Sequence, residues 1–228
     1  MKTVLIRTFL TLIISVSLFA CKKNRIYSYD ETKLSIIHAW PSDEKLNVYY
    51  GDDSGKLSLG DFVYTYWSSY DKMSVGDKDI SITKKDSKTA LFSQKFTLAK
   101  NEVYSLFIIG NPNEAKFLMV KDDLAAAPAG KAKIRFINLS PDAPALNLSI
   151  AGATKDLITN KAYKEYSGFE IIDPGEKVTF NVKNYTTGVV ETSLVEKIEA
   201  GKNYTIYARG LKANTTGAFA LGATSINF

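Results

Sequence analysis

Two short apolar runs joined by a proline-bearing corner form the strongest pattern in the chain, Ile134 to Ile150, IRFINLSPDAPALNLSI. A weaker copy stands at Leu34 to Tyr50, LSIIHAWPSDEKLNVYY. At an offset of 100, Lys33, Ile37, Pro41, Leu46, Asn47, Leu57, Tyr66, Tyr104 and Gly110 meet identical residues, and similar apolar residues fill the places between. Matching identities in matching apolar runs predict a tandem duplication over 33–121 and 131–228. The small-residue stretch DDLAAAPAG at 122–130 is the expected linker.

Within each copy the apolar positions fall into short runs of period two. The first copy predicts strands near Leu34–Trp40, Leu46–Tyr50, Asp61–Trp67, Asp79–Lys84, Leu91–Leu98, Val103–Ile109 and Lys116–Lys121. The second predicts them near Ile134–Leu139, Leu146–Ile150, Ala162–Tyr166, Lys177–Lys183, Val189–Val195, Tyr204–Arg209 and Ala218–Phe228. Alternation is clear at Ile80 and Ile82, and at Val178, Phe180 and Val182. Phe62, Tyr64 and Tyr66 alternate too and are predicted to point inward. Turn signals separate the runs at Asp53-Ser54-Gly55, Val75-Gly76-Asp77, Asp173-Pro174-Gly175 and Ala200-Gly201-Lys202. About seven short strands in about 100 residues predict an antiparallel sandwich of immunoglobulin-like type for each copy. The expected fold is all-β, two tandem β-sandwich domains.

The N-terminus has a different pattern. Lys2 and Arg7 flank the start of an apolar run, and Phe9 to Phe19 is too short to span a bilayer comfortably. The run ends in Leu18-Phe19-Ala20-Cys21, which resembles a bacterial lipoprotein signal. Cleavage between Ala20 and Cys21 and acylation of the Cys21 thiol are expected. Residues 1–20 would be removed, and 21–32 would form a polar tether. Acyl chains anchor at ~0.8 kcal/mol per buried methylene, so such an anchor is effectively permanent. The expected location is the cell envelope, as an outer-membrane lipoprotein, with the membrane face left open. Cys21 is the single cysteine, so no intrachain disulfide forms. The formal net charge is +5. Loss of the leader leaves about +3, with bases interspersed among acids, which argues against a nucleic-acid partner.

The corner has its own physics. Pro141 and Pro144 fix φ and hold Ser140 and Ala143 extended, and Asp142 is placed to accept backbone N–H bonds within the turn. Ser140, Pro141, Asp142 and Pro144 are therefore expected to preserve a shape that re-aims the chain between two strands. This corner, between Arg135-Phe136-Ile137-Asn138 and Leu146-Asn147-Leu148, resembles the bacterial family known as domain of unknown function 4397. The Pro174-Gly175 turn and the Gly201-Lys202-Asn203-Tyr204-Thr205 run fit the same family pattern. The resemblance implies an immunoglobulin-like sandwich in the cell envelope, and it supplies no activity and no catalytic residues.

Candidate chemistry is sparse. One histidine and no thiol beyond Cys21 exclude the usual zinc sets, and no metal site or cofactor is expected. The adjacent acids Asp52-Asp53 and Asp122-Asp123 read as solvated turn acids, far short of the about 6–8 oxygens calcium takes. No glycine-rich strand-to-helix loop is present to cradle phosphates. His38 shares a strand face with Leu34, Ile36 and Trp40, and Asn138 replaces it in the second copy. It reads as a polar residue tucked at the end of a core strand, with no serine partner marked. The first copy is rich in aromatic residues. Trp40, Tyr49 and Trp67 are the candidate ligand contacts, since exposed rings stack on sugars or anchor protein contacts. The competing reading is that these rings pack the sheet face or the interface between the copies. The expected function is a non-enzymatic binding or structural role, with an envelope protein or a glycan as partner.

Overall fold

The computed structural model describes residues 30–50, 57–123, 125–213 and 217–226. The leader, Ala20, Cys21, most of the tether and the Asp53-Ser54-Gly55 turn lie outside the described residues. The first sandwich contains β1 (Glu31–His38), β2 (Leu46–Tyr49), β3 (Leu57–Phe62), β4 (Asp71–Ser74), β5 (Gly76–Lys84), β6 (Ala90–Leu98), β7 (Val103–Asn111) and β8 (Glu114–Lys121). The second contains β9 (Ala132–Asn138), β10 (Leu146–Ile150), β11 (Ile158–Lys161), β12 (Glu170–Ile172), β13 (Gly175–Asn184), β14 (Val190–Ile198), β15 (Asn203–Arg209) and β16 (Ala220–Ile226). Sheet order is β4-β1-β7-β8 over β3-β2-β5-β6, and it repeats as β12-β9-β15-β16 over β11-β10-β13-β14. The chain is thus all-β, two tandem immunoglobulin-like sandwiches. One pair in each inner sheet departs from the expected antiparallel pattern, because β1 runs parallel to β7 and β9 parallel to β15.

Each sandwich closes over its own core. Leu34, Ile36, Leu46, Val48, Ile80, Ile82, Leu106 and Ile108 fill the first, and Ile134, Phe136, Leu146, Leu148, Phe180, Val182 and Ile206 the second. The intervening residues of the same inner strands point the opposite way. Ile37, Ala39, Phe107, Ile109 and Val120 meet Ile137, Leu139 and Tyr207 in a third buried cluster. Phe107 and Tyr207, equivalent positions of the two copies, meet edge-on with centroids 5.7 Å apart. The two inner sheets therefore lie face to face, and the molecule is four sheets deep. This explains the near-continuous apolar runs of β1, β7 and β9, which are buried on both faces.

Equivalent residues meeting across the seam define a pseudo-two-fold axis, and other contacts fix its direction. Arg135, near the start of β9, reaches Asp122, whose amide bonds to Val103 at the start of β7. Arg209, at the end of β15, lies 5.0 Å over the ring of Tyr64, which is beside His38 at the end of β1. The inner strands β1, β7, β9 and β15 thus run the same way. Both proline corners lie at one end, the tip. Asp30 and Asp122 lie at the other, the base.

Several local expectations change. The strand expected at Asp61–Trp67 ends at Phe62. The chain then folds into a tight turn clipped to β1, with Thr65 N–H donating to the His38 carbonyl at 2.8 Å and His38 N–H to the Tyr66 carbonyl at 2.8 Å. Thr65 holds φ 79°, and Lys164 holds φ 71° in the same turn of the second copy, which likewise replaces the strand expected at Ala162–Tyr166. Only isolated bridges follow, Ile37 to Trp67 and Ile137 to Tyr166. The equivalent of Tyr166 is therefore Trp67, one place along from the simple offset. Of the three aromatics expected inside, Phe62 is buried but Tyr66 is 59% exposed. Edge strands β4 and β12 bring each sandwich to eight strands, where the apolar pattern predicts about seven.

Candidate functional site

Trp67 owes its position to the edge of β1. Ile36 N–H donates to Ser68 Oγ at 3.0 Å, Ser68 N–H donates back to the Ile36 carbonyl at 2.9 Å, and Ser35 Oγ donates to the Ser68 carbonyl at 2.8 Å. Trp67 is thereby held opposite Ile37. Directly paired residues on neighbouring strands point to the same side. Ile37 points into the seam, so Trp67 points that way too, but from beyond the edge of the sheet. It overhangs edge strand β16 of the other sandwich and is 58% exposed. Ser35, Trp67, Ser68, Ser69 and Tyr70 of the first sandwich and Thr224 and Ser225 of the second line a cleft of about 200 Å³. Its lining is one indole, one phenol and a set of aliphatic hydroxyls, with no ionised group. The Tyr70 hydroxyl bonds Ser105 Oγ and Asp122 Oδ2, each at 2.9 Å. Burial, with the Asp122 charge, pushes this hydroxyl well above the ordinary tyrosine range, so it stays protonated. The arrangement offers a stacking face ringed by hydroxyls, of which those of Ser35, Ser68 and Tyr70 are bonded within the protein.

The other two candidate aromatics lie elsewhere. Trp40 is 4% exposed, and its indole N–H donates to the Asn111 carbonyl at 2.6 Å. Tyr49 is half-buried on the outward face of β2, opposite Ser81 of β5. The three aromatics therefore form no common surface. His38 is buried among the rings of Trp40, Phe62 and Tyr64, and neither ring nitrogen has a partner. Among the described residues, no group of three or more His, Cys, Asp or Glu side chains is placed to hold a metal ion.

The second proline corner is braced from outside the turn. Asp142 accepts the backbone N–H groups of Lys212 and Ala213, each at 3.0 Å, where the motif by itself suggests bonds within the turn. Burial raises its carboxyl, but these amide bonds and Ser140 outweigh that and leave it below the ordinary carboxylate range. Ser140 Oγ also donates to the Gly210 carbonyl at 2.8 Å. Asn138 Nδ2 donates to the carbonyls of Pro144 at 3.2 Å and Lys161 at 3.0 Å. The corner thus ties β9 and β10 to the β15–β16 loop.

Asp122 is the main functional-looking residue the sequence misplaces. It is 2% exposed and pairs with Arg135 under the seam, so it is no solvated turn acid. Asp123 beside it is surface-facing and pairs with Lys133 at 2.6 Å. The available signal was Arg135 itself, a guanidinium in the middle of the apolar run IRFIN, which demands a buried anion.

Residues 32–149, just over half the chain, match the family described as Domain of unknown function (DUF4397). The chain belongs to that family. The matched span covers the first sandwich and continues through the 140–144 corner into β10. A comparison with curated proteins returned no match. Among solved structures, the chain is similar to a protein from a study of α-glucan binding by a streptococcal virulence factor, at 12% identity and a TM-score of 0.27, covering 79% of this chain and 92% of that one. It is also similar to a family 26 carbohydrate-binding module of Eubacterium rectale solved with maltoheptaose, at 11% identity and 0.27, covering 86% and 97%. A candidate cell adhesion protein from Bacteroides uniformis aligns at 8% identity and 0.28, covering 87% and 99%.

Proposed function

We propose that this chain is a lipid-anchored cell-envelope protein with a non-enzymatic binding role, and that the seam cleft under Trp67 takes a glycan. The observation that carries the reading is the exposed indole of Trp67 beside a hydroxyl-lined, uncharged cleft shared by both sandwiches. A sugar ring presents an apolar C–H face to an aromatic ring and hydroxyls to hydroxyls, and this cleft offers both. Trp40 is buried and Trp67 exposed, so a change in fluorescence or quenching on binding reports on Trp67. Trp67→Ala should abolish binding on a broad glycan panel and leave the melting temperature unchanged. If the wild-type protein binds nothing on the panel, the glycan reading fails and an envelope protein becomes the partner to seek by crosslinking.

The anchor reading rests on Leu18 to Cys21. The described chain enters at the base, so acyl chains on Cys21 would place the base toward the membrane and the proline corners away from it. Cys21→Ala should move the protein from the membrane to the soluble envelope fraction. A variant that still sediments with membranes would refute the anchor.

A further inference from the structure

A second, larger recess lies at the tip of the first sandwich, away from Trp67. It encloses about 550 Å³ between the Trp40–Glu44 corner, the end of β5, the start of β6 and the β7–β8 turn. Its floor is carbon, from Trp40, Leu91, Phe92 and Ala115. Its rim carries three carboxylates, Asp43, Glu44 and Glu114, and one amine, Lys84. The walls are set before any ligand arrives. Trp40 is bonded to Asn111, Phe92 packs edge-on against Phe117 at 5.1 Å, and Pro41 and Pro112 stiffen two of the loops.

The equivalent corner of the second sandwich is braced differently. There Asp142 draws the corner onto the β15–β16 loop through the N–H groups of Lys212 and Ala213. Lys212 also pairs with Glu191 at 2.7 Å. In the first sandwich Ser42 stands where Asp142 does, and Pro112 stands where Lys212 does. Proline has no N–H to give, so the bond that Lys212 makes has no counterpart there. Leu91 and Phe92 replace Glu191 and Thr192, which turns the exposed wall apolar. The two corners thus differ in what closes them and in the polarity of the adjacent wall.

We infer that this tip groove binds a basic peptide segment, with a lysine or arginine side chain laid across the apolar floor and its cationic head at the acidic rim. A long aliphatic stem ending in a cation is the shape and charge the lining complements. The rim acids have local partners, Lys84 on Glu44 at 2.6 Å and Lys116 on Glu114 at 2.9 Å. Both pairs are solvent-exposed, so they hold weakly and a bound cation can displace them. The inference is independent of the glycan reading, since it uses no residue of the Trp67 cleft.

The test is fluorescence anisotropy of the full chain with a labelled lysine–leucine tetrapeptide, against a glutamate–leucine peptide as control. The lysine peptide should bind and the glutamate peptide should not. Asp43→Asn with Glu114→Gln should weaken binding about tenfold. Raising salt from about 0.1 M to about 1 M shortens the screening length from about 10 Å to about 3 Å and should weaken it further. Both acids are exposed, so the double variant should melt like the wild type. A second variant, Leu91→Ser, removes part of the exposed apolar wall and should weaken binding as well. No binding of the lysine peptide, equal binding of the two peptides, or unchanged affinity in the charge-neutral variant would each overturn the proposal.

Discussion

Arg135→Ala is expected to destabilise the protein by about 3–5 kcal/mol, because it strands a buried carboxylate. Arg135 Nη2 pairs with Asp122 Oδ1, and the two side chains are 2% and 0% exposed. Arg135 Nε donates to Thr205 Oγ1 at 2.8 Å, and Nη1 donates to the Lys121 carbonyl at 3.2 Å. Asp122 Oδ2 accepts from Ser105 Oγ at 2.8 Å and from Tyr70 at 2.9 Å. Burial pushes the Asp122 carboxyl up, while Arg135 and the two hydroxyls pull it down. With the guanidinium gone, only burial and two neutral donors remain. The loss spans both sandwiches, since Asp122 follows β8 and Arg135 lies in β9. Urea denaturation at neutral pH measures it. The paired change Arg135→Met with Asp122→Leu removes both charges together and should recover most of the loss, as apolar replacements of buried ion pairs often do. An Arg135→Ala variant within about 1 kcal/mol of wild type, the range of an exposed pair, would show that the network carries little energy.

Acid should weaken the fold through His38. Burial lowers its pKa from 6.5 to about 4. Between those two values the unfolded chain binds a proton that the folded chain does not, so stability is full above about pH 6.5 and is lost as the pH falls toward 4. At 1.36 kcal/mol per unit the loss approaches about 3 kcal/mol. The groups facing His38 are the rings of Trp40, Phe62 and Tyr64, and none of them is an anion that would hold an imidazolium. His38→Leu removes this contribution. Its urea midpoint should fall less than that of wild type between pH 7 and pH 4.5, the remaining slope coming from carboxylates common to both proteins. At pH 7 the variant should be at least as stable, because the two ring nitrogens it removes are buried without partners. Parallel pH profiles for the two proteins would rule out His38 as the source.

Much of the architecture is legible in the chain because burial writes a period into it. Ile80 and Ile82 in β5, and Phe180 and Val182 in β13, alternate cleanly since only one face of each outer sheet is covered. The repeat is legible because equivalent strands have the same neighbours. The missed elements are those in which burial does not dominate. β4, Asp71 to Ser74, has Met73 as its only buried apolar residue. The turn after Phe62 is built from backbone bonds to His38 and a positive φ at Thr65, which no glycine or asparagine marks in the sequence. For the same reason Phe62, Tyr64 and Tyr66 look like a strand although the backbone has already turned. Trp40 and Trp67 are indistinguishable as letters. Burial separates them, and it depends on Asn111 and on β16, distant partners that no local pattern reveals. Asp122 hides for a similar reason. Its neighbour Asp123 is a surface acid, and only the stacking of the inner sheets drives the two apart in character.

The parallel pairing of β1 with β7 has a mechanical consequence. The described chain enters at the base through Asp30, and β1 climbs to the tip beside β7 in continuous register from Lys33 against Val103 to His38 against Ile108. A pull between the N-terminal tether and a partner gripping the tip would run along β1. The backbone bonds of that ladder would then be loaded together in shear, and they could not be peeled one at a time as in a hairpin. Edge strand β4 grips β1 on its other side from Glu31 to Leu34 and adds to the same load path. β1 is thereby clamped along both edges at its base end.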